Sequence, residues 1–206
     1  MLLYWCPHSR AYLALWMMEE AGVAYERRLV DIRQEDQSRP DYRRINPMMK
    51  VPALDDGGTI VTECAAICAH VADRVPAAGL APPVGDPLRG RYLSWLFFAS
   101  GCIDPAFAQR GFRFELPSMT AGWGSYERVM DVLDEALQAG PWILGERFSA
   151  ADVMIAGYLF YGMDLWKIVE PRPSFRAYVD RTYARPAYRS ADAIDEAVAA
   201  ELYPAA

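Results

Sequence analysis

Histidine is nearly absent from this chain. His8 and His70 are the only two among 206 residues, too few for a multi-histidine metal site. Cysteine is sparse as well: four residues are no disulfide scaffold at this length, and a reducing, cytoplasmic setting is expected. Basic residues do not predominate, since 21 Lys and Arg stand against 27 Asp and Glu, a formal charge of −6. That balance argues against a nucleic-acid partner. There is no long apolar run either. The longest uncharged stretch, Tyr92 to Ile103, falls short of the ~18 residues of a membrane span. The opening Met1-Leu2-Leu3-Tyr4 has no basic region before it meets Pro7, so no signal peptide is expected.

What is abundant is apolar material. Hydrophobic residues make up 53% of the chain, ample for a packed core and contrary to intrinsic disorder.

Element types alternate in the first third. Leu2 to Trp5 is a short strand candidate, and Arg10 to Ala21 a helix stopped by Gly22. That helix is apolar on most sides, which predicts cover on both faces. Val23 to Ile32 reads as a second strand and Pro40 to Ile45 as exposed helical turns broken by Asn46-Pro47. Val51 to Leu54 is a third strand, Asp55-Asp56-Gly57-Gly58 a hairpin turn, and Thr59 to Val61 the returning strand. From Glu63, the residues Cys64, Ile67, Cys68, Val71 and Val75 mark one helical face. Prolines and glycines then crowd residues 76–87, a linker and the expected domain boundary. Beyond it only helices are predicted: a long aromatic one from Leu88 to about Gln109, bent near Gly101 and Pro105, then Tyr126 to Leu137, Ser149 to Asp164, Ser174 to Tyr183 and Ser190 to Ala200. The expected organisation is an α/β domain over residues 1–76, a linker over 77–87 and an all-helical domain over 88–206.

Three short motifs can carry chemistry. Cys6-Pro7-His8-Ser9 sits between the first strand and the first helix. A thiol there faces the helix's free N–H groups and the positive end of its dipole, which favour thiolate. The pattern keeps the first thiol of a thioredoxin-type motif and has Ser where the resolving Cys would be; the plain alternative is a small buried Cys behind a turn proline. Lys50-Val51-Pro52 leads into a strand. In a thioredoxin-type fold such a proline is usually cis, which exposes the preceding residue's backbone to an extended peptide; the alternative is a routine proline at a strand start. Thr62-Glu63-Cys64 opens a helix. A helix N-terminus binds carboxylates and a Glu beside it holds an ammonium, so the pair suits an α-amino acid end; the alternative is a capping Thr with a dipole-favoured Glu.

In this order the motifs resemble the glutathione transferase superfamily over nearly the whole chain. The first part looks like its thioredoxin-like domain, through Cys6 to Arg10, Asn46-Pro47, Lys50 to Leu54 and Glu63-Cys64. The later part looks like its helical domain, where Leu144 to Asp152 is similar to the family's helix-capping segment and Arg185-Pro186 to its late helix end. The resemblance implies glutathione as co-substrate, a small hydrophobic electrophile as second substrate, a homodimer, and no metal or prosthetic group. It implies that Val51 pairs its backbone with the cysteinyl portion beside a cis Pro52. Glu63 and Cys64 take the γ-glutamyl amino and carboxylate groups, and Lys50 meets the glycyl carboxylate. Cys6 or Ser9 meets the sulfur. Position 64 is usually Ser in the family, and Cys64 is a weaker, longer donor. Phe107, Tyr161 and Trp166 are the expected lining for the electrophile. Two rival readings stand beside conjugation: a thiol transferase or disulfide reductase using Cys6 covalently, and a non-catalytic module that keeps the fold to bind a protein. Ser149 with Asp152 reads as a helix cap, and His70, Cys68 and Cys102 as structural.

Overall fold

The computed structural model describes residues 1–204. Its first elements are β1 (Leu2–Trp5), α1 (Ala11–Ala21), β2 (Glu26–Leu29), α2 (Pro40–Ile45), β3 (Ala53–Asp56), β4 (Thr59–Thr62) and α3 (Cys64–Arg74). The four strands make one mixed sheet in the order β2-β1-β3-β4. β1 runs parallel to β2, while β3 runs antiparallel to both β1 and β4. This is the thioredoxin-like arrangement expected from the alternating elements. β2 is shorter than the Val23–Ile32 stretch because it is an edge strand, and its ladder ends where Trp5 meets Leu29. β3 starts two residues later than expected, because the Val51–Pro52 bond is cis and the ladder begins only after it. Gly57 and Gly58, both with positive φ, form the two-residue turn into β4.

Helices follow: α4 (Arg89–Phe98), α5 (Asp104–Phe112), α6 (Tyr126–Gln138), α7 (Ala150–Phe160), α8 (Pro173–Tyr183) and α9 (Pro186–Leu202). Among the described residues no strand follows β4, and no helix is long and apolar enough to cross a membrane. The long aromatic helix is α4 and α5 joined by a π-turn over Ala99–Ile103. Pro105 lacks the N–H that would bond back one turn, so the ladder widens ahead of it. α7 opens with the expected capping box, Ser149 with Asp152. The fully buried Asp152 also accepts from the Ile143 N–H at 2.8 Å and the Tyr178 hydroxyl at 2.7 Å.

The chain forms two compact units. One comprises residues 1–78 together with the segment from Arg185; the other comprises Gly79–Ala184. The division near the linker 77–87 thus falls at its start. The expected helical domain 88–206, whose last two residues lie outside the described part, differs at its far end: α9 groups with the sheet. The physical reason lies in α1, where every side chain from Ala11 to Met18 is buried. The strands and α3 cover only one side of it, and α9 covers another. Tyr188 packs edge-on against Tyr12 and Trp16. The Arg185 guanidinium grips Glu20 with both arms, at 2.7 and 2.6 Å, and Glu20 is only 4% exposed.

Removing one partner of such a pair leaves a buried charge uncompensated. Arg185→Ala is therefore expected to cost about 3 kcal/mol of stability. Adding Glu20→Gln should recover part of that loss, as read by denaturant unfolding of both variants.

Candidate active site

The sheet register gathers the three motifs. Tyr4 pairs with Ala53, and Ala53 with Thr62. The end of β1, the start of β3 and the end of β4 therefore lie at one end of the sheet. β2 is parallel to β1 and ends there too. The segments that leave this end carry Cys6 to Ser9, Lys50 to Pro52, and Glu63-Cys64. They also carry four non-glycine residues with left-handed backbone: His8 (φ 55°), Glu35 (φ 58°), Met49 (φ 54°) and Glu63 (φ 70°). Each such residue costs roughly 1–3 kcal/mol and persists only where its surroundings impose it, and such strain collects at functional sites.

The segment before β3 is held by its neighbours. The Lys50 carbonyl accepts from the Tyr42 hydroxyl at 2.6 Å and from Asn46 Nδ2 at 2.7 Å. Asn46 Oδ1 in turn accepts the Met48 N–H at 3.0 Å. The Asn46-Pro47 pair, legible in sequence only as a helix break, is thus what fixes the approach to the cis bond. Burial pushes the Tyr42 phenol up to about 12, so it remains a donor. Val51 packs against the cluster formed by Tyr4, Val30, Tyr42 and Ala53, and stands just ahead of the ladder. The Lys50 side chain is exposed.

Glu63 is the residue before α3, and its side chain makes no capping bond to that helix. With φ 70° and ψ 126° it is exposed. The reading of Thr62-Glu63 as an ordinary cap is not what the structure adopts, since Thr62 belongs to β4. The Cys64 thiol donates to the Arg10 carbonyl at 3.4 Å, which ties the start of α3 to the start of α1.

Ser9 and Cys6 differ in their commitments. The Ser9 hydroxyl donates to the Cys6 carbonyl at 2.7 Å and accepts the Ala11 N–H at 3.1 Å. It closes the turn and satisfies α1. Cys6 is fully buried, and its Sγ lies 3.7 Å from the Tyr203 hydroxyl. Tyr203 donates to Asp31 Oδ1 at 2.8 Å, and the Arg33 guanidinium stacks 3.4 Å from its ring centre. His8 is drawn to α9 as well: its N–H donates to Asp195 Oδ2 at 2.9 Å, and Nε2 lies 2.9 Å from Glu196 Oε1. Donor atoms of His8, Asp195 and Glu196 fall within 4.8 Å of one another, close enough to hold a cation. None of Tyr203, Asp31, Arg33 or Asp195 was marked by the sequence reading. Nothing near Asp31 or Tyr203 forms a motif, and the bond that joins them spans 172 positions.

Phe107, Tyr161 and Trp166 belong to the second unit, where they form one aromatic cluster. Trp166 stacks on Tyr161 at 5.6 Å and meets Phe107 edge-on at 6.3 Å. Phe107 and Tyr161 are buried, while Trp166 is 43% exposed. Gly162 lets these rings close up, for a Cβ there would fall 2.8 Å from Phe107. A cavity of about 320 Å³ between β2 and α2, lined by Tyr42, Arg28, Arg39 and Arg44 among others, contains none of the candidate residues.

A thioredoxin-like sheet with a cis-proline at its end, followed in sequence by a helical unit, defines a class of two-part proteins. The comparisons with known proteins narrow it. The model of the glutathione S-transferase N-terminal domain matches residues 1–73, and that of the C-terminal domain residues 116–181. The chain is 28% identical over 195 residues to glutathione S-transferase GstA of Escherichia coli O157:H7, covering 93% of this chain and 96% of that one. The crystal structure of a glutathione transferase from Methylococcus capsulatus strain Bath superposes with a TM-score of 0.78 at 32% identity, covering 95% and 98% of the two chains. A sphingomonad glutathione S-transferase complexed with glutathione gives 0.78 at 28% identity, covering 95% and 99%. The chain belongs to the glutathione S-transferase family.

One titration follows from the His8 contacts. Burial lifts the Asp195 carboxyl to about 6; Glu196 and Asp192 push the same way, and His8 opposes them. An unfolded Asp ionises near ~3.9. The stability this group contributes is therefore fully present below about pH 4 and is lost as pH rises through about 6. Asp195→Asn removes that dependence. The variant should gain stability relative to the natural chain between pH 4 and pH 7 in denaturant unfolding, and a constant difference would refute the assignment.

Proposed function

We propose that the protein is a cytoplasmic, homodimeric glutathione transferase that joins the glutathione thiolate to a small hydrophobic electrophile. The observation that carries this reading is at the sheet end. An exposed Glu63 at the start of α3 and a Val51 that stands ahead of the β3 ladder beside a cis-proline leave the same end as Cys6 and Ser9. Glutathione is an extended tripeptide with an amino-acid head. Glu63 supplies a carboxylate for the γ-glutamyl ammonium. The N–H of Cys64 and the N-terminus of α3 supply donors for the γ-glutamyl carboxylate. The cysteinyl portion adds to Val51 by β-type pairing beside Pro52. Lys50 is long enough and exposed enough to reach a glycyl carboxylate.

The sulfur then lies over the turn from Cys6 to Ser9. Catalysis comes from holding the thiol as thiolate and from placing the two reactants together. The thiolate attacks carbon, an S–C bond forms, and the leaving group departs with its electron pair. For Ser9 to donate to that thiolate, its hydroxyl must leave the Cys6 carbonyl. Phe107, Tyr161 and Trp166 supply the apolar side for the electrophile, and the partly exposed Trp166 is the one that offers surface.

Calorimetry with glutathione tests the amino-acid site. Glu63→Ala should weaken binding by about 1–3 kcal/mol, because the ligand ammonium loses its charged partner. Cys64→Ser should tighten binding or leave it unchanged, and unaltered affinity in Glu63→Ala would remove the site. The sulfur side is read by assaying Cys6→Ser, Cys6→Ala and Ser9→Ala for conjugation to an activated aryl halide and for disulfide reduction. A conjugating enzyme keeps activity in Cys6→Ser and loses about 10–100-fold when the donor is removed. An enzyme that works through a Cys6 mixed disulfide loses all turnover in Cys6→Ser. If all three variants match the natural chain in both assays, neither residue is catalytic.

A further inference from the structure

We propose that the cavity between β2 and α2 is a binding site for one small organic anion, a carboxylate or phosphate head carried on an apolar body the size of a single ring. The cavity encloses about 320 Å³ within the first unit, and none of Cys6, Ser9, Lys50, Val51 or Glu63 lines it. An engineered cavity of about 150 Å³ takes benzene, so there is room here for one ring and its head group.

The floor is apolar. Tyr4, Val30 and Tyr42 are buried members of one hydrophobic cluster, and Ile45 packs on it. The Tyr4 and Tyr42 rings meet edge-on at 5.8 Å. The wall is cationic: Arg28, Arg39 and Arg44 line it, against Asp36 and Asp41. Register places Arg28, which pairs with Tyr4 across the β1–β2 ladder. Its guanidinium rests over the Tyr4 ring, 5.4 Å from the centre. Arg44 stands in the last turn of α2, next to Ile45.

These charges are not equally committed. Arg39 is paired with Asp36 at 2.7 Å, and Asp36 Oδ2 also accepts the Asp31 N–H at 3.2 Å. Asp41 is exposed in the first turn of α2, where the helix dipole favours it. Arg28 and Arg44 have no carboxylate partner among the described residues. Two guanidinium groups therefore face one remaining carboxylate, and the balance favours an anion. Their planar forks match the paired oxygens of a carboxylate or a phosphate. The Tyr4 hydroxyl adds a neutral donor. That side chain is 6% exposed, and its hydroxyl has no hydrogen-bond partner among the described residues. The Tyr42 hydroxyl is already given to the Lys50 carbonyl. A bare inorganic ion would leave the apolar floor uncovered, and an uncharged ring would leave both guanidinium groups without a counter-charge.

The test needs no glutathione and is independent of the transferase reading. Amide shifts of the isotope-labelled full chain are followed by NMR at pH 7 as phenyl phosphate or benzoate is added. Inorganic phosphate serves as the head without a body, and phenol as the ring without a charge. Saturable shifts are expected at residues 28–30 and 39–45, with at least one of the two probes binding several-fold more tightly than either control. The tighter probe tells a phosphate from a carboxylate ligand. Arg28→Gln and Arg44→Gln should each weaken that probe about 5–10-fold, and Tyr4→Phe, which removes only the hydroxyl, about threefold. Absence of saturable shifts at these residues overturns the proposal. So does inorganic phosphate or phenol binding as tightly as both probes. A loss in Lys50→Gln with none in Arg28→Gln or Arg44→Gln would put the anion at the candidate active site and overturn it as well.

Discussion

Helix α1 has apolar side chains around its whole circumference, so it needs cover on more than one side. The sheet and α3 supply one cover, and α9 supplies another from far along the chain. The Arg185–Glu20 pair and the Tyr188 ring anchor that return along α1. The return has a second effect, because the rest of α9 then runs past the turn at the start of α1. Asp195 and Glu196 come to His8, and Tyr203 comes to Cys6. A packing requirement in the core thereby decides what surrounds the candidate thiol.

The other half of the candidate site depends on backbone held away from its relaxed state. Met49 and Glu63 both have left-handed φ. Tyr42 and Asn46 impose the first of these shapes by bonding to one carbonyl. The result is a strand that begins late and leaves Val51 ahead of the ladder, beside a Glu that makes no capping bond.

Ser9 shows how far side-chain identity carries. The resemblance offers it, with Cys6, as one of two sulfur partners, yet its hydroxyl is bonded to the Cys6 carbonyl and the Ala11 N–H. Cys64 likewise bonds a carbonyl of the neighbouring turn. Both residues were recognisable in the sequence as chemistry-bearing. Where their protons point depends on the turn geometry, which the order of residues does not display.

The elements themselves were legible because their causes are local. Apolar spacing marks α3, Gly22 stops α1, Pro40 and Ile45 bound α2, and Gly57-Gly58 turns the hairpin, all within a few residues. The three motifs were legible for the same reason, as was the all-round apolarity of α1 with its demand for cover. Which helix would supply that cover was not. Nor were Asp31, Arg33 and Tyr203 visible as neighbours of Cys6, the last of them 197 positions away. Local propensity acts over one turn or one strand pair. The meeting of distant side chains follows from which apolar faces pack together, and packing is settled only in three dimensions.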